Sequence, residues 1–293
     1  MNERVIAAKE FRELFFGYHG WIWSVFLLYP GYEMLVSEAT VPSLGTVEAV
    51  AAYQGPVCIL LGFLGCFLTY RTIVGERESG TILFLICQDC SRLEIVLGKL
   101  LGRTAVLGAF LLVGLSASLV ASGLEYGAIA PGTTLLFGFV SLLYLCSIAS
   151  VGVAWSMTVS TSPRALLATF GTYAAFVGWG DLADQLYAVI TGTTLDNGPP
   201  QSGLYFFSRR LDPLSSYRVV TNSLFDVGNA AGDYTFAYAT VHDGSVTNVV
   251  AAEATLSHLP WYLSAWVSLV VLLLWIVVPT GLAYWRFRST DLY

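Results

Sequence analysis

Charge is what this chain of 293 residues has least of. Asp, Glu, Lys and Arg together make up 12% of it, about half of the roughly 25% usual in soluble domains. So few charges cannot cover a surface that faces water, which excludes a soluble globular protein. Positive charge is the scarcer kind. Fourteen Lys and Arg stand against 20 Asp and Glu, a net −6, so there is no electrostatic footprint for nucleic acid. Cysteine is sparse too: Cys58, Cys66, Cys87, Cys90 and Cys146. None lies in the longest polar segment, so a disulfide-stapled outer domain is not expected. Nowhere does the pattern G-x-x-x-x-G-K-[ST] occur. Gly98-Lys99 lacks the upstream glycine and is followed by Leu100. Without a loop to cradle phosphates, the chain is not expected to hydrolyse ATP alone. What is abundant is apolar: 56% hydrophobic residues and a mean hydropathy of +0.68. That composition describes a polytopic membrane protein and excludes disorder and a disulfide scaffold.

Crossing about 30 Å of hydrocarbon takes roughly 20 apolar residues. Runs of that kind cover 49–70, 104–124, 126–163, 165–190 and 259–285, and a further run over 17–36 contains Pro30 and Glu33. The 126–163 run is longer than one span needs, so a turn is expected at Pro131-Gly132. The pattern predicts an all-α, six-span helical bundle. Residues 2–16 mix charges with Val5, Ala8, Phe11 and Phe15 at helical spacing, which predicts an amphipathic helix in the membrane interface. No small-residue cleavage site follows, so this is not read as a signal peptide.

Eleven of the 14 basic residues fall on one side of these spans: Arg4, Lys9, Arg12, Arg71, Arg77, Arg92, Lys99, Arg103, Arg164, Arg286 and Arg288. The positive-inside rule then puts both termini and the 71–103 segment in the cytoplasm of a cell-membrane protein. Arg209, Arg210 and Arg218 fall outside.

The 71–103 segment is the most informative. Span 2 should run on as helix through Glu76-Arg77-Glu78, and Gly80 can end it in a left-handed conformation. Thr81 to Cys87 is expected to form a short apolar element whose core, Ile-Leu-Phe-Leu-Ile over 82–86, includes Phe84, before a turn at Gln88-Asp89. Ser91 and Glu94 form a capping box for the next helix. An apolar helix held below the membrane between charges is costly to expose and is expected to dock in a groove on another protein.

Glu76-Arg77-Glu78-Ser79-Gly80-Thr81, then Ser91-Arg92 and Gly98-Lys99, resemble the loop between the second and third spans of ABC-2 family transporter permeases. Asp212-Pro213-Leu214-Ser215-Ser216-Tyr217-Arg218 and the ending Arg286-Phe287-Arg288-Ser289-Thr290-Asp291-Leu292 resemble further stretches of that family. The subgroup most similar is that of permeases related to the nitrous-oxide-reductase maturation transporter, a copper-linked system. The resemblance implies a transmembrane subunit of an exporter. Loop 76–99 would be the coupling element against a separate ABC ATPase subunit, which binds the ATP. It also implies a second permease copy or a related permease as partner, beside membrane lipid, and no cofactor on this chain. The docking residues it implies are Glu76, Arg77, Glu78, Gly80, Thr81, Phe84, Ser91, Arg92, Glu94 and Lys99. The Tyr18-His19-Gly20-Trp21 stretch and the long outer loop depart from the family's pattern.

Other chemistries find less support. Cys87-Gln88-Asp89-Cys90 is a C-x-x-C, but no second pair and no histidine share its loop, so it is read as structural rather than redox or metal-binding. Of His19, His242 and His258, only His19 falls within a span, which disfavours bis-histidine haem. Ser116 and Ser118 lie inside span 3 without a base at matching depth, which disfavours an intramembrane hydrolase. Asp181 and Asp184 lie at the outer end of span 5. No span carries a central acid, which favours ATP-driven over ion-driven transport.

Three regions result: spans 1–5 in 1–192, an extracytoplasmic loop in 193–258, and span 6 with a cytoplasmic tail in 259–293. Within the loop, Asp212 and Pro213 should start an interfacial amphipathic helix. The alternation over 233–241, a turn at 242–245 and the run 246–250 predict a β-hairpin, which makes the loop a small α+β excursion.

Overall fold

The computed structural model describes residues 3–15, 28, 40–81, 91–192, 199–242 and 252–288. Among them every regular element is a helix and no strand occurs. Helix α1 spans Glu3–Phe15. The segment Pro42–Glu78 is a broken span: short helical pieces lead into a π-helical stretch, Val57–Leu61, then α2 (Gly62–Thr69), a turn, and α3 (Val74–Glu78). Helix α4 is Arg92–Tyr126, α5 is Pro131–Thr158 and α6 is Ser162–Val177. Beyond come α7 (Trp179–Thr191), α8 (Gly203–Ser208), α9 (Pro213–Leu224), α10 (Tyr234–His242) and α11 (Ala265–Arg288).

Among the described residues four segments are long and apolar enough to cross a membrane: Pro42–Glu78, α4, α5 and α11. The expected first span, 17–36, lies outside the described residues apart from Leu28. The expected fifth span is not one helix. Gly178 (φ −91°, ψ 12°) leaves the helical region and separates α6 from α7. At 1.5 Å per residue the 16 residues of α6 reach only about 24 Å.

Helix α5 is the hub, packed against α2, α4, α6, α9 and α11. Its inner faces carry small residues, among them Ser141, Ser147, Ala149, Ser150, Gly152 and Ser156, which let neighbouring backbones come close. Gly152 faces Thr69 of α2 so tightly that a Cβ there would overlap the Thr69 hydroxyl. Ser150 donates to the Ile276 carbonyl at 2.6 Å, beside Pro279, whose ring removes one rung of the α11 ladder. Neighbouring hydroxyls are how a membrane helix tolerates proline.

The segment between α7 and α11 departs most from expectation. Asp212 does cap α9, its Oδ2 accepting from the Leu214 and Ser215 N–H groups at 3.0 and 2.9 Å, with Pro213 in the first turn. The helix is not peripheral, however. Tyr217 stacks on Tyr144 of α5 at 4.8 Å and shares a 2.9 Å hydrogen bond with Ser141. Trp275 of α11 donates to the Leu211 carbonyl at 2.7 Å. Ser141 and Trp275 each lie ten residues inside their helices, about 15 Å along them. Helices α8 and α9 therefore form a hairpin whose tip reaches half-way into the bundle.

Residues 234–241 are helix, not strand. Asp233 caps α10 by accepting from Thr235 N–H at 3.1 Å. Tyr234 and Ala237 are buried, and Tyr238 and Val241 pack on the same core, while Phe236 points out. The spacing i, i+3, i+4, i+7 is a helical face, and it overrides the period-2 reading. The rest of the expected hairpin lies outside the described residues.

Helix α1 packs along α4. Ile6 is buried there, and Phe11, Leu14 and Phe15 pack on the core. Val5 and Ala8 of the expected apolar stripe point away.

Candidate functional site

The described residues of the 76–99 motif, 76–81 and 91–99, converge on one end of the bundle, called here the basic end. Helix α3 continues the broken span as expected. Its approach to α5 is fixed by Ser156, whose hydroxyl accepts from the Ile73 and Val74 N–H groups at 2.9 and 3.1 Å. Gly80 stops it with φ +72°, the left-handed conformation expected of it. Thr81 then shares a 2.9 Å hydrogen bond with Ser79.

Three charged motif residues, Arg77, Glu78 and Arg92, each tie down the end of another helix. Arg77 donates to the Met157 and Val159 carbonyls, both at 3.3 Å, at the C-terminus of α5. Glu78 accepts from Ser162 N–H at 2.7 Å and from its hydroxyl, at the N-terminus of α6. Each charge sits at the helix end whose dipole it complements, so the pair straddles the α5–α6 turn. Arg92 donates to the Phe287 and Arg288 carbonyls at 2.7 and 3.0 Å, closing the C-terminus of α11. Ser91 and Glu94 complete the expected capping box of α4. Its Glu94 carboxylate accepts from Ser91 N–H at 2.8 Å.

Lys99 is the buried centre of this end. Only 2% of its side chain is exposed, and it pairs with Glu10 of α1 at 2.7 Å and Glu76 of α3 at 2.6 Å. Glu10 also pairs with Arg103 at 2.7 Å, and Arg103 donates to the Leu68 carbonyl at 2.7 Å. Burial alone would raise the Glu10 pKa, but Arg103 and Lys99 outweigh it and hold the carboxyl below its usual 4.5. A buried charge is tolerable when it is paired and hydrogen-bonded, and here the pairs join α1, α3 and α4.

The sequence expectation put Arg77 and Glu78 beside a docked partner. Both are engaged inside the chain. Glu10, Ser156 and Ser162 were not anticipated. One signal called for an acid without naming Glu10: a lysine in an otherwise apolar stretch of α4 needs a carboxylate. Phe84, Cys87 and Cys90 lie outside the described residues, as does His19. Ser116 spends its hydroxyl on the Leu112 carbonyl of its own helix at 2.8 Å. Among the described residues no three His, Cys, Asp or Glu side chains gather as metal ligands.

The family model described as "ABC-2 family transporter protein" matches residues 4–292. The chain belongs to the ABC-2 transporter family. Two ABC transporter permeases are similar to it. One, "Probable ABC transporter permease protein NosY" of Pseudomonas aeruginosa, is 32% identical over 187 residues, 62% of this chain and 66% of that protein. The chain thus spans just under two thirds of that relative's length. The protein of the same name from Stutzerimonas stutzeri is 27% identical over 250 residues, 82% of this chain and 79% of that protein. As an ABC-2 family chain with several apolar helices, this is a multi-pass membrane protein.

Proposed function

We propose that this permease serves an ATP-driven exporter whose ATPase is a separate ABC subunit docking on loop 76–99. The observation that carries the reading is the wiring of the basic end. Glu76, Arg77, Glu78 and Arg92 connect the loop to α4, α5, α6 and α11. A displacement of the loop is therefore delivered to four helices at once, as a shift between inward- and outward-open states requires. The basic end is the cytoplasmic one on this reading, and a second permease completes the route. The chain itself has no ATPase site, so the purified protein releases no phosphate from ATP.

The likeness to two NosY permeases, and to permeases related to the nitrous-oxide-reductase maturation transporter, supports a narrower reading. In it the chain works in a copper-enzyme maturation system.

Co-purification with the cognate ATPase tests the docking claim. Burying a side chain such as Phe84 contributes roughly 1.5–3 kcal/mol, so Phe84→Asp should lose association while the permease still inserts. Gly80→Val should do the same by straining the helix end. Ser245→Ala is the control and keeps the contact. Full association and full coupled hydrolysis in Phe84→Asp would remove the loop as the docking site.

A further inference from the structure

Three arginines lie at the end of the bundle opposite the basic end, and two of them are spent. Arg209 is paired with Asp184 at 2.6 Å and also donates to the Tyr205 hydroxyl at 3.1 Å. Arg210 donates to the Leu263 and Asn229 carbonyls at 2.6 and 3.0 Å. Arg218 differs. Among the described residues no carboxylate lies within 4.0 Å of it, and its buried Nε has no hydrogen-bond partner. Its guanidinium is hydrogen-bonded to the Cys58 thiol, a weak and neutral acceptor, and the Asp233 carboxylate lies further off. It follows Tyr217, which reaches the middle of α5, so this is a cation held deep among helices. A cation with no carboxylate within ion-pair distance is costly at such depth, and it marks ligand sites in membrane proteins.

Arg218 lines a cavity of about 280 Å³ between the end of α6, the start of α7, α9 and the start of α10. Asp233 and Asp181 line the same cavity. Asp233 uses Oδ1 to cap α10, accepting from Thr235, and keeps Oδ2 free of any donor among the described residues. The cavity thus presents a guanidinium and carboxylates that do not touch one another. With Arg209 neutralised by Asp184, the lining charge is one positive group against two negative. That balance disfavours a bare anion, which the carboxylates would repel, and a bare cation, which Arg218 would repel. At ~30 Å³ per water the volume equals roughly nine waters, the size of a small headgroup and too small for acyl chains. Val177 and Phe236 at its rim are half exposed.

We propose that this cavity binds a compact zwitterion of the phosphoethanolamine type, with its phosphate on Arg218 and its ammonium toward Asp233 and Asp181. The guanidinium fork suits a phosphate, and the source is either a phospholipid headgroup or a soluble solute. The site does not depend on ATPase docking, and it is testable on the full chain without the ATPase.

Titration calorimetry of the purified chain in detergent with O-phosphoethanolamine, inorganic phosphate and ethanolamine tests the chemistry. Native mass spectrometry from nanodiscs containing phosphatidylethanolamine or phosphatidylglycerol tests the source. The zwitterion, free or as lipid, should bind at least tenfold more tightly than phosphate, ethanolamine or phosphatidylglycerol. Arg218→Gln and Asp233→Asn should each weaken it at least tenfold, and Arg218→Lys should weaken it less than Arg218→Gln. Asn retains the α10 cap, so the Asp233→Asn result does not rest on unfolding. Retention of the lipid alone identifies a headgroup, and binding of the solute alone identifies a solute. No binding of either form to the unaltered chain, or equal binding of phosphate that Asp233→Asn leaves unchanged, overturns the proposal.

Discussion

Lys99 shows how one residue can hold three elements. Its ammonium is almost fully buried between Glu10 and Glu76. Removing one partner of a buried pair costs about 3–5 kcal/mol when both sides are dry. Glu76 is a quarter exposed, which screens its share, so Lys99→Met is expected to cost roughly 2–3 kcal/mol. Thermal unfolding of the variant in detergent reads this directly. The pH dependence follows from Glu10. A carboxyl held below its unfolded pKa contributes stability that is complete above about 4.5 and is lost as the pH falls through the lower folded value. A spin label on α1 should therefore become mobile as the pH is lowered below 4.5, and Glu10→Gln should remove that acid step. Neighbours in sequence were legible at this scale. Ser91 and Glu94, three residues apart, and Gly80, a lone glycine after a helical run, carry their geometry in local chemistry. Glu78 with Ser162 and Lys99 with Glu10 were not legible. Their partners lie 84 and 89 residues away, and no local pattern names them.

Helices α2 and α5 approach closely because Gly152 has no side chain. A Cβ at that position would overlap the Thr69 hydroxyl. Thr69 spends that hydroxyl on the Gly65 carbonyl at 2.6 Å, so it has no easy alternative. Gly152→Ala is expected to destabilise the bundle by about 1–3 kcal/mol through overpacking, seen as a lower unfolding temperature. If the unfolding temperature does not change, the close approach is wrong. The α8–α9 hairpin makes a second claim at this scale. Asp212→Ala removes the α9 cap and should cost about 1 kcal/mol, whereas Asp212→Asn should cost less because Asn also caps. Limited proteolysis at 199–212 distinguishes them. The sequence showed this helix's cap and first proline, yet misjudged its depth. An amphipathic face does not say whether it meets lipid, water or the inside of a bundle. The face of α10 was misread for a different reason. Tyr234 and Tyr238 satisfy both period 2 and period 3.6, and only Ala237 and Val241 decide between them once packing is seen.

The whole molecule is an ABC-2 family chain with the described residues of its 76–99 motif gathered at one end and a polar cavity at the other. Its membrane class was legible from charge scarcity and long apolar runs, and its family from the 76–99 motif. The number of crossings was less so, because Gly178 divides an apolar run that composition leaves continuous. The proposed topology predicts that external thiol reagents modify S202C and S245C in intact cells, and that native Cys87 and Cys90 stay protected. Labelling of the native pair from outside would invert the orientation. The central claim is that the ATPase acts through loop 76–99, and photo-crosslinking in the assembled complex tests it most directly. A photoreactive amino acid replacing Phe84 should crosslink to the ATPase subunit, and the same group replacing Ser202 should not. An intact complex that crosslinks at 202 and not at 84 would contradict the account.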